Sequence, residues 1–140
     1  MNEALKHDII LKLKAQAHKE GVNLDDWDIV DVDLLLVADW FVDYCENIGL
    51  RCQFTRIIDK PIKGVSVSDS HNKRAFDASV IGWTDADARE CDHQANRQLP
   101  GLGAVSKRDG RRRVCVFEPR EYDENGKLKK ERHLHFQVSR

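Results

Sequence analysis

The chain predicts an α+β fold, with an antiparallel sheet of about four to five strands packed against two to three helices. Three observations carry that prediction. Apolar residues recur at helical spacing in three segments, near 3–20, 33–48 and from Thr84 to just before Pro100. Apolar and polar residues alternate in short runs near 50–58, 75–82, 102–106, 113–117 and 134–138. Asp109-Gly110 separates two of those runs and is a hairpin signature.

The first helix is predicted over residues 3–20, with Leu5, Ile9, Leu13 and Ala17 on one face and Gly21 as its stop. A polar connector carrying Trp27 follows over residues 22–32. Asp33 is placed to cap the second helix, which runs to about Ile48. Its wide apolar stripe, Leu34, Val37, Ala38, Phe41, Cys45 and Ile48, marks it as the main core helix, and Gly49 ends it. Leu50 to Ile58 reads as a strand, residues 59–70 as a loop with Pro61 and Gly64, and Ala75 to Gly82 as a second strand. Thr84 caps the third helix, with Asp87 three residues on completing a capping box. That helix carries Ala88, Cys91 and Ala95 and stops before Pro100-Gly101. Leu102–Ser106 and Arg113–Phe117 then flank the Asp109-Gly110 turn. Val114–Phe117 is expected to pair with Leu134–Val138 across a polar loop containing Asn125-Gly126.

With 140 residues, a single domain over 1–140 is expected: an N-terminal helix and connector over 1–32, then the rest. A net charge of −1 gives no support to general nucleic-acid binding, which shows as a basic excess. The longest apolar run, Leu34 to Ala38, is far too short for a bilayer, so no membrane insertion is expected. Met1–Lys6 lacks a basic segment leading into an apolar one, so no signal peptide is expected. Cys45, Cys52, Cys91 and Cys115 show no Cys-x-x-Cys spacing and are expected as free thiols. The runs Lys107–Arg113 and Lys127–Arg132 read as solvated turns, with contact to an anionic polymer as the sharper alternative for each.

The chemistry gathers at the C-terminal run His133-Leu134-His135-Phe136-Gln137-Val138. On a strand, residues two apart share a face, so His133 and His135 project together while Leu134, Phe136 and Val138 fill the other side. Paired imidazoles on a stiff strand suit a metal, or one ligand plus an acid–base group. His71 and Asp77 supply upstream partners. A catalytic zinc needs three protein ligands and an open position. His71, Asp77 and one or both of His133 and His135 are the candidates.

The segment Val65-Ser66-Val67-Ser68-Asp69-Ser70-His71-Asn72-Lys73-Arg74-Ala75-Phe76-Asp77, with Gly82-Trp83 and the late His133-Leu134-His135, resembles the D-Ala-D-Ala peptidase family. That family is part of the lysostaphin, D-Ala-D-Ala peptidase and hedgehog group. The likeness is closest to short peptidoglycan endopeptidases of phages and prophages, and it covers roughly residues 33–140. The family pattern is Ser-x-His-x-x-Gly-x-Ala-x-Asp, then a late His-x-His or Glu-x-x-His. It has six residues between its histidine and aspartate; here there are five, and the motif glycine is absent. On a continuous strand, a one-residue deletion would turn Asp77 to the opposite face.

By position the resemblance implies that His71, Asp77 and His135 hold Zn²⁺ and that His133 works beside the metal as an acid–base group. It also implies that Arg56 stabilises developing negative charge, and that Ser68 or Ser70 takes the place of the motif serine at the substrate. Glu131, four before His135, is a reserve base. The implied activity is zinc-dependent hydrolysis of the peptide stem or cross-link of bacterial peptidoglycan by a monomeric, endolysin-like enzyme. It would be made in the cytoplasm and reach the wall by phage-mediated release or within a virion. A non-catalytic binding or virion-structural module on the same fold is the alternative, and a D-Ala-D-Ala carboxypeptidase a minor one.

Overall fold

The computed structural model describes residues 1–57, 73–105 and 110–139. Three α-helices and a five-stranded sheet share one hydrophobic core. The helices are α1 (Glu3–Lys14), α2 (Val32–Ile48) and α3 (Asp85–Gln98). The strands of the main sheet are β1 (Ala17–His18), β2 (Gln53–Arg56), β3 (Ala75–Ser79), β6 (Cys115–Glu118) and β9 (His133–Gln137), in the order β1-β2-β3-β9-β6. Two small hairpins complete the fold: β4 (Ala104–Val105) with β5 (Arg112–Arg113), and β7 (Glu121–Tyr122) with β8 (Leu128–Lys130). The α+β expectation is met, but the sheet is mixed, because β1 runs parallel to β2 while every other pair is antiparallel.

That parallel pair explains why α1 is shorter than its periodicity predicts. The helix stops at Lys14, and Ala17 and His18 pair with Gln53 and Phe54. His18 Nε2 then accepts from the indole N–H of Trp27 at 2.9 Å, and His18 Nδ1 donates to the Gln16 carbonyl at 2.7 Å. Trp27 is fully buried against Phe54 and Phe76, so the polar connector carries part of the core. Leu5 and Ala17, expected inside, are exposed, and Ile9, Ile10 and Leu13 carry the α1 contact.

Helix α2 begins after Asp31 rather than Asp33 and ends at Gly49, whose φ of 81° is the left-handed conformation glycine favours. Phe41, at its middle, lies over the sheet's apolar face, with ring centroids 5.0 Å from Phe136 and 5.9 Å from Phe54. Ile48 is exposed, contrary to its place in the predicted stripe. Helix α3 follows its sequence signals: Thr84 and Asp87 form the capping box, and Ala88, Cys91 and Ala95 are buried. Its polar side chains seal the outer edge of β6. Asn96 Oδ1 accepts from the amides of Val114 and Cys115, at 2.7 and 3.1 Å. Asn96 Nδ2 donates to the Cys115 carbonyl at 2.8 Å, and Asp92 Oδ2 accepts from the Phe117 amide at 2.8 Å. Among the described residues, no helix is long and apolar enough to cross a membrane.

Candidate active site

The two faces of the central strands differ in chemistry because each alternates. On β3, Phe76 and Ala78 face the helices while Asp77 and Ser79 face away. On β9, Leu134 and Phe136 face the helices while His133, His135 and Gln137 face away. The antiparallel register sets Asp77 opposite His135 and Ser79 opposite His133. Val116 and Glu118 of β6 extend those two rows. The outcome is a polar face whose members are mostly buried: Asp77, Ser79, His133 and Gln137 are each no more than 8% exposed.

Arg56 joins this face through an irregularity. Phe54 pairs with Ala78, but Arg56 pairs with Asp77, so β2 holds one residue more than β3 over that step. Without that bulge Arg56 would fall opposite Phe76, on the helix side. With it, Arg56, Asp77 and His135 form one row across three strands.

Asp77 and His135, fifty-eight positions apart in the chain, meet directly: His135 Nδ1 lies 2.8 Å from Asp77 Oδ1. The other ring nitrogen, Nε2, lies 3.2 Å from Gln137 Oε1, and Gln137 Nε2 reaches the Ala104 carbonyl at 3.5 Å. That chain of contacts bears on where the ring protons of His135 lie. The Ala104 carbonyl only accepts, so Gln137 turns its NH₂ there and its oxygen to His135. His135 then carries a hydrogen on Nε2. In that neutral tautomer the Nδ1 lone pair faces a carboxylate oxygen at 2.8 Å and a cation must lie between them, whereas in the other tautomer Nδ1–H donates to Asp77 directly. A second ring proton serves, and so does a metal ion. Two donors on one tetrahedral zinc stand roughly 3.3 Å apart, so the pair needs to open by only about half an ångström. A carboxylate and an imidazole are donor types that zinc takes, and Asp77 and His135 supply one of each.

His133 is oriented differently. Its Nδ1 donates to the Glu131 carbonyl at 3.0 Å, which leaves Nε2 as the lone-pair nitrogen of the neutral ring. The Glu131 carboxylate itself turns away and pairs with Arg120 at 2.5 Å, which holds its pKa below the usual carboxylate range. As a reserve base it is therefore poorly placed; its contribution to the site is its carbonyl. The next residue, Arg132, binds Asp85 at 2.6 Å and the Trp83 carbonyl, tying the start of β9 to the entry of α3.

Of the residues the sequence singled out, Arg56, Asp77, His133 and His135 share one face, and Asp77 with His135 are in contact. His71, Ser68 and Ser70 lie outside the described residues. Among the described residues no group of three His, Cys, Asp or Glu side chains is arranged to hold a metal ion; Asp77 and His135 are two of the three expected ligands. Gln137 was not among the expected site residues. Strand alternation places it beside His135, but an amide lacks the ligand or acid–base signature that would single it out. A cleft of about 360 Å³ lined by Thr84, Asp85, Phe117, Pro119, Arg120 and Arg132 includes none of the polar-face residues. Comparison with family models, with curated proteins and with solved structures found no match to this chain.

Proposed function

We propose that this chain is a zinc-dependent peptidase that cleaves the peptide stem or cross-link of bacterial peptidoglycan, in the manner of a phage endolysin. The observation that carries the reading is the 2.8 Å approach of Asp77 and His135 on a buried polar face that also holds His133 and Arg56. These are the side chains that the resemblance to D-Ala-D-Ala peptidases assigns to metal binding, proton transfer and charge stabilisation.

His71, Asp77 and His135 would hold the metal. Zinc, when bound, supplies a water of lowered pKa and a Lewis acid for the scissile carbonyl. Gln137 keeps the hydrogen of His135 on Nε2, so that Nδ1 offers its lone pair toward Asp77. His133 offers an Nε2 lone pair that can take a proton and return it to the leaving amine. Arg56, beside Asp77 in the sheet, brings a cation to the face where negative charge develops on the carbonyl oxygen. Ser68 and Ser70 remain the candidates for contact with the peptide. Substrate and delivery follow from the same resemblance: action on the cell wall after phage-mediated release or from a virion. A D-Ala-D-Ala carboxypeptidase differs only in the bond cut.

One observation favours a second reading, a non-catalytic binding or virion-structural module. The His135 Nδ1–H can donate to the Asp77 carboxylate across 2.8 Å with no metal at all. Purified protein separates the two readings. About one equivalent of zinc per chain, with chelator-sensitive clearing of wall material, supports the peptidase. A protein that takes up no transition metal from a zinc-supplemented preparation and clears nothing refutes it. The masses of the released peptides identify the bond.

A further inference from the structure

His133 owes its orientation to one peptide unit. Strand β8 ends at Lys130 and β9 begins at His133, so Glu131 and Arg132 alone join them. The peptide between those two residues is held at both of its polar atoms. Its carbonyl accepts from His133 Nδ1 at 3.0 Å, and its N–H donates to the Glu131 carboxylate at 3.1 Å. That carboxylate is steadied in turn by Arg120.

The Arg132 side chain anchors the far end of the same unit. One guanidinium nitrogen donates to Asp85 Oδ1 at 2.6 Å. The other donates to the carbonyls of Trp83 and, at 3.4 Å, Val80. Those carbonyls belong to the turn that leaves β3, closed by the Trp83 amide on the Val80 carbonyl at 2.9 Å. Ser79, the last residue of β3, stands opposite His133 in the register and accepts from the Ile81 amide of that turn at 3.1 Å. The guanidinium therefore bridges the backbone segments on two sides of His133. The two anchors differ in weight. Arg120 and Glu131 are both about half exposed, and such pairs contribute little. Arg132 is only 20% exposed and commits a whole nitrogen to main-chain carbonyls.

The consequence is a choice of tautomer. A carbonyl only accepts, so the Glu131 oxygen selects the neutral ring with its hydrogen on Nδ1. A neutral imidazole in water favours the other form, with the hydrogen on Nε2. Only the Nδ1–H ring keeps a lone pair at Nε2 for taking a proton. We infer that Arg132 is a positioning residue for His133: by anchoring the Glu131–Arg132 peptide, it holds the imidazole in the tautomer that proton transfer requires. The role of His133 as proton carrier belongs to the peptidase reading, on which this assignment rests; the tautomer itself is a property of the metal-free chain.

Nitrogen-15 NMR of the metal-free chain reads the tautomer from the ring nitrogen shifts, with the His133 signals assigned by their loss in His133→Gln. The spectra are taken at about pH 9, well above the ordinary histidine pKa of about 6.5. The unsubstituted chain should hold His133 mainly as Nδ1–H. Arg132→Met keeps the apolar stem and removes every donor. It should move the tautomer ratio about fivefold toward Nε2–H, the worth of one net hydrogen bond. Arg120→Ala should leave the ratio unchanged. In the zinc-loaded protein, kcat should fall with the Nδ1–H fraction while zinc content stays constant. An Nε2–H ring in the unsubstituted chain overturns the inference. So does an Nδ1–H ring that survives Arg132→Met, since Arg132 then only ties α3 to the sheet, or an equal shift in Arg120→Ala. Where Arg132→Met does not fold, Arg132→Lys gives the same comparison with a smaller shift, because an ammonium cannot span acceptors on both sides. A chain that binds no zinc and hydrolyses nothing, yet changes tautomer in Arg132→Met, refutes the peptidase and leaves the anchoring of His133 by Arg132 standing.

Discussion

Asn96→Ala tests how the strand that buttresses the site is held. Asn96 sits on α3 and completes the outer edge of β6, with its oxygen on the amides of Val114 and Cys115 and its NH₂ on the Cys115 carbonyl. Val114 and Cys115 are at most 1% exposed, so these backbone groups lie at the margin of the core. Truncation removes three hydrogen bonds to the strand. A buried hydrogen bond contributes about 1 kcal/mol net, and a buried group left unpaired costs about 1–3 kcal/mol. Water reaching the shortened side chain recovers part of that. A loss of roughly 2–4 kcal/mol follows, and for a domain of this size each kcal/mol lowers the melting temperature by about 3 °C. Urea denaturation followed by tryptophan fluorescence reads the loss as a lower midpoint at unchanged slope. Hydrogen exchange should accelerate at Val114 and Cys115 more than at Ala78 on β3. The discriminating variant is Asn96→Asp, which keeps the acceptor but sets a carboxylate against the Cys115 carbonyl and near Asp92. It should be no more stable than the alanine. A loss below about 0.5 kcal/mol in Asn96→Ala would mean that the side-chain cover of β6 is dispensable.

The site variants are expected to separate by readout. His135→Ala should lose both zinc and hydrolysis, whereas His133→Ala should keep zinc and lose roughly 10²–10⁴-fold in rate, the scale of an acid–base group. Metal retained in His135→Ala and stripped in His133→Ala would reverse the two roles. Gly103→Ala should destabilise the fold by about 1–3 kcal/mol, the cost of overpacking. A Cβ there meets the Arg113 backbone carbon at 2.6 Å, and backbone cannot swing aside; a melting temperature unchanged from the parent would contradict this. His18 should make stability fall in acid. Burial lowers its folded pKa, opposed by the hydrogen bond to the Gln16 carbonyl, so the unfolded chain binds the proton more readily. Its stabilising contribution is complete above the unfolded value of about 6.5 and is lost as pH falls below that through the folded pKa. His18→Gln should flatten the urea midpoint between pH 7 and pH 5, and an unchanged slope would assign the dependence to other groups.

Local sequence signals match the structure where local contacts decide the outcome, as in α3. Thr84, Asp87, Ala88, Cys91 and Ala95 all act within a helical turn or two of one another. The first helix shows the opposite case. Leu5, Ile9, Leu13 and Ala17 keep helical spacing, yet the chain leaves the helix at Lys14. What decides is a distant partner, since Ala17 and His18 pair with a strand that begins at Gln53. No periodicity within residues 3–20 records that pairing. The same parallel pair is what makes the sheet mixed.

The polar face divides along the same line. His133, His135 and Gln137 share a side because strand alternation is a local rule. Arg56 reaches them only through a bulge, and a bulge leaves no mark in the alternation of Cys52, Phe54 and Arg56. Asp77 is the instructive residue, because the shortened spacing from His71 turns it to the opposite face only if the strand is continuous, and not if the deletion falls in a turn. The count presumes one continuous strand from histidine to aspartate. The face of Asp77 is set instead by its immediate neighbours. Phe76 and Ala78 are both fully buried toward the helices, and Phe76 stacks on Phe136 with centroids 4.6 Å apart. Slipping β3 by one residue would turn those two side chains onto the polar face and set Asp77 and Ser79 against Phe41 and Phe136. Removing a buried phenylalanine alone costs about 3–5 kcal/mol. The register is therefore held by the apolar face, and the polar face follows it whatever the spacing to His71.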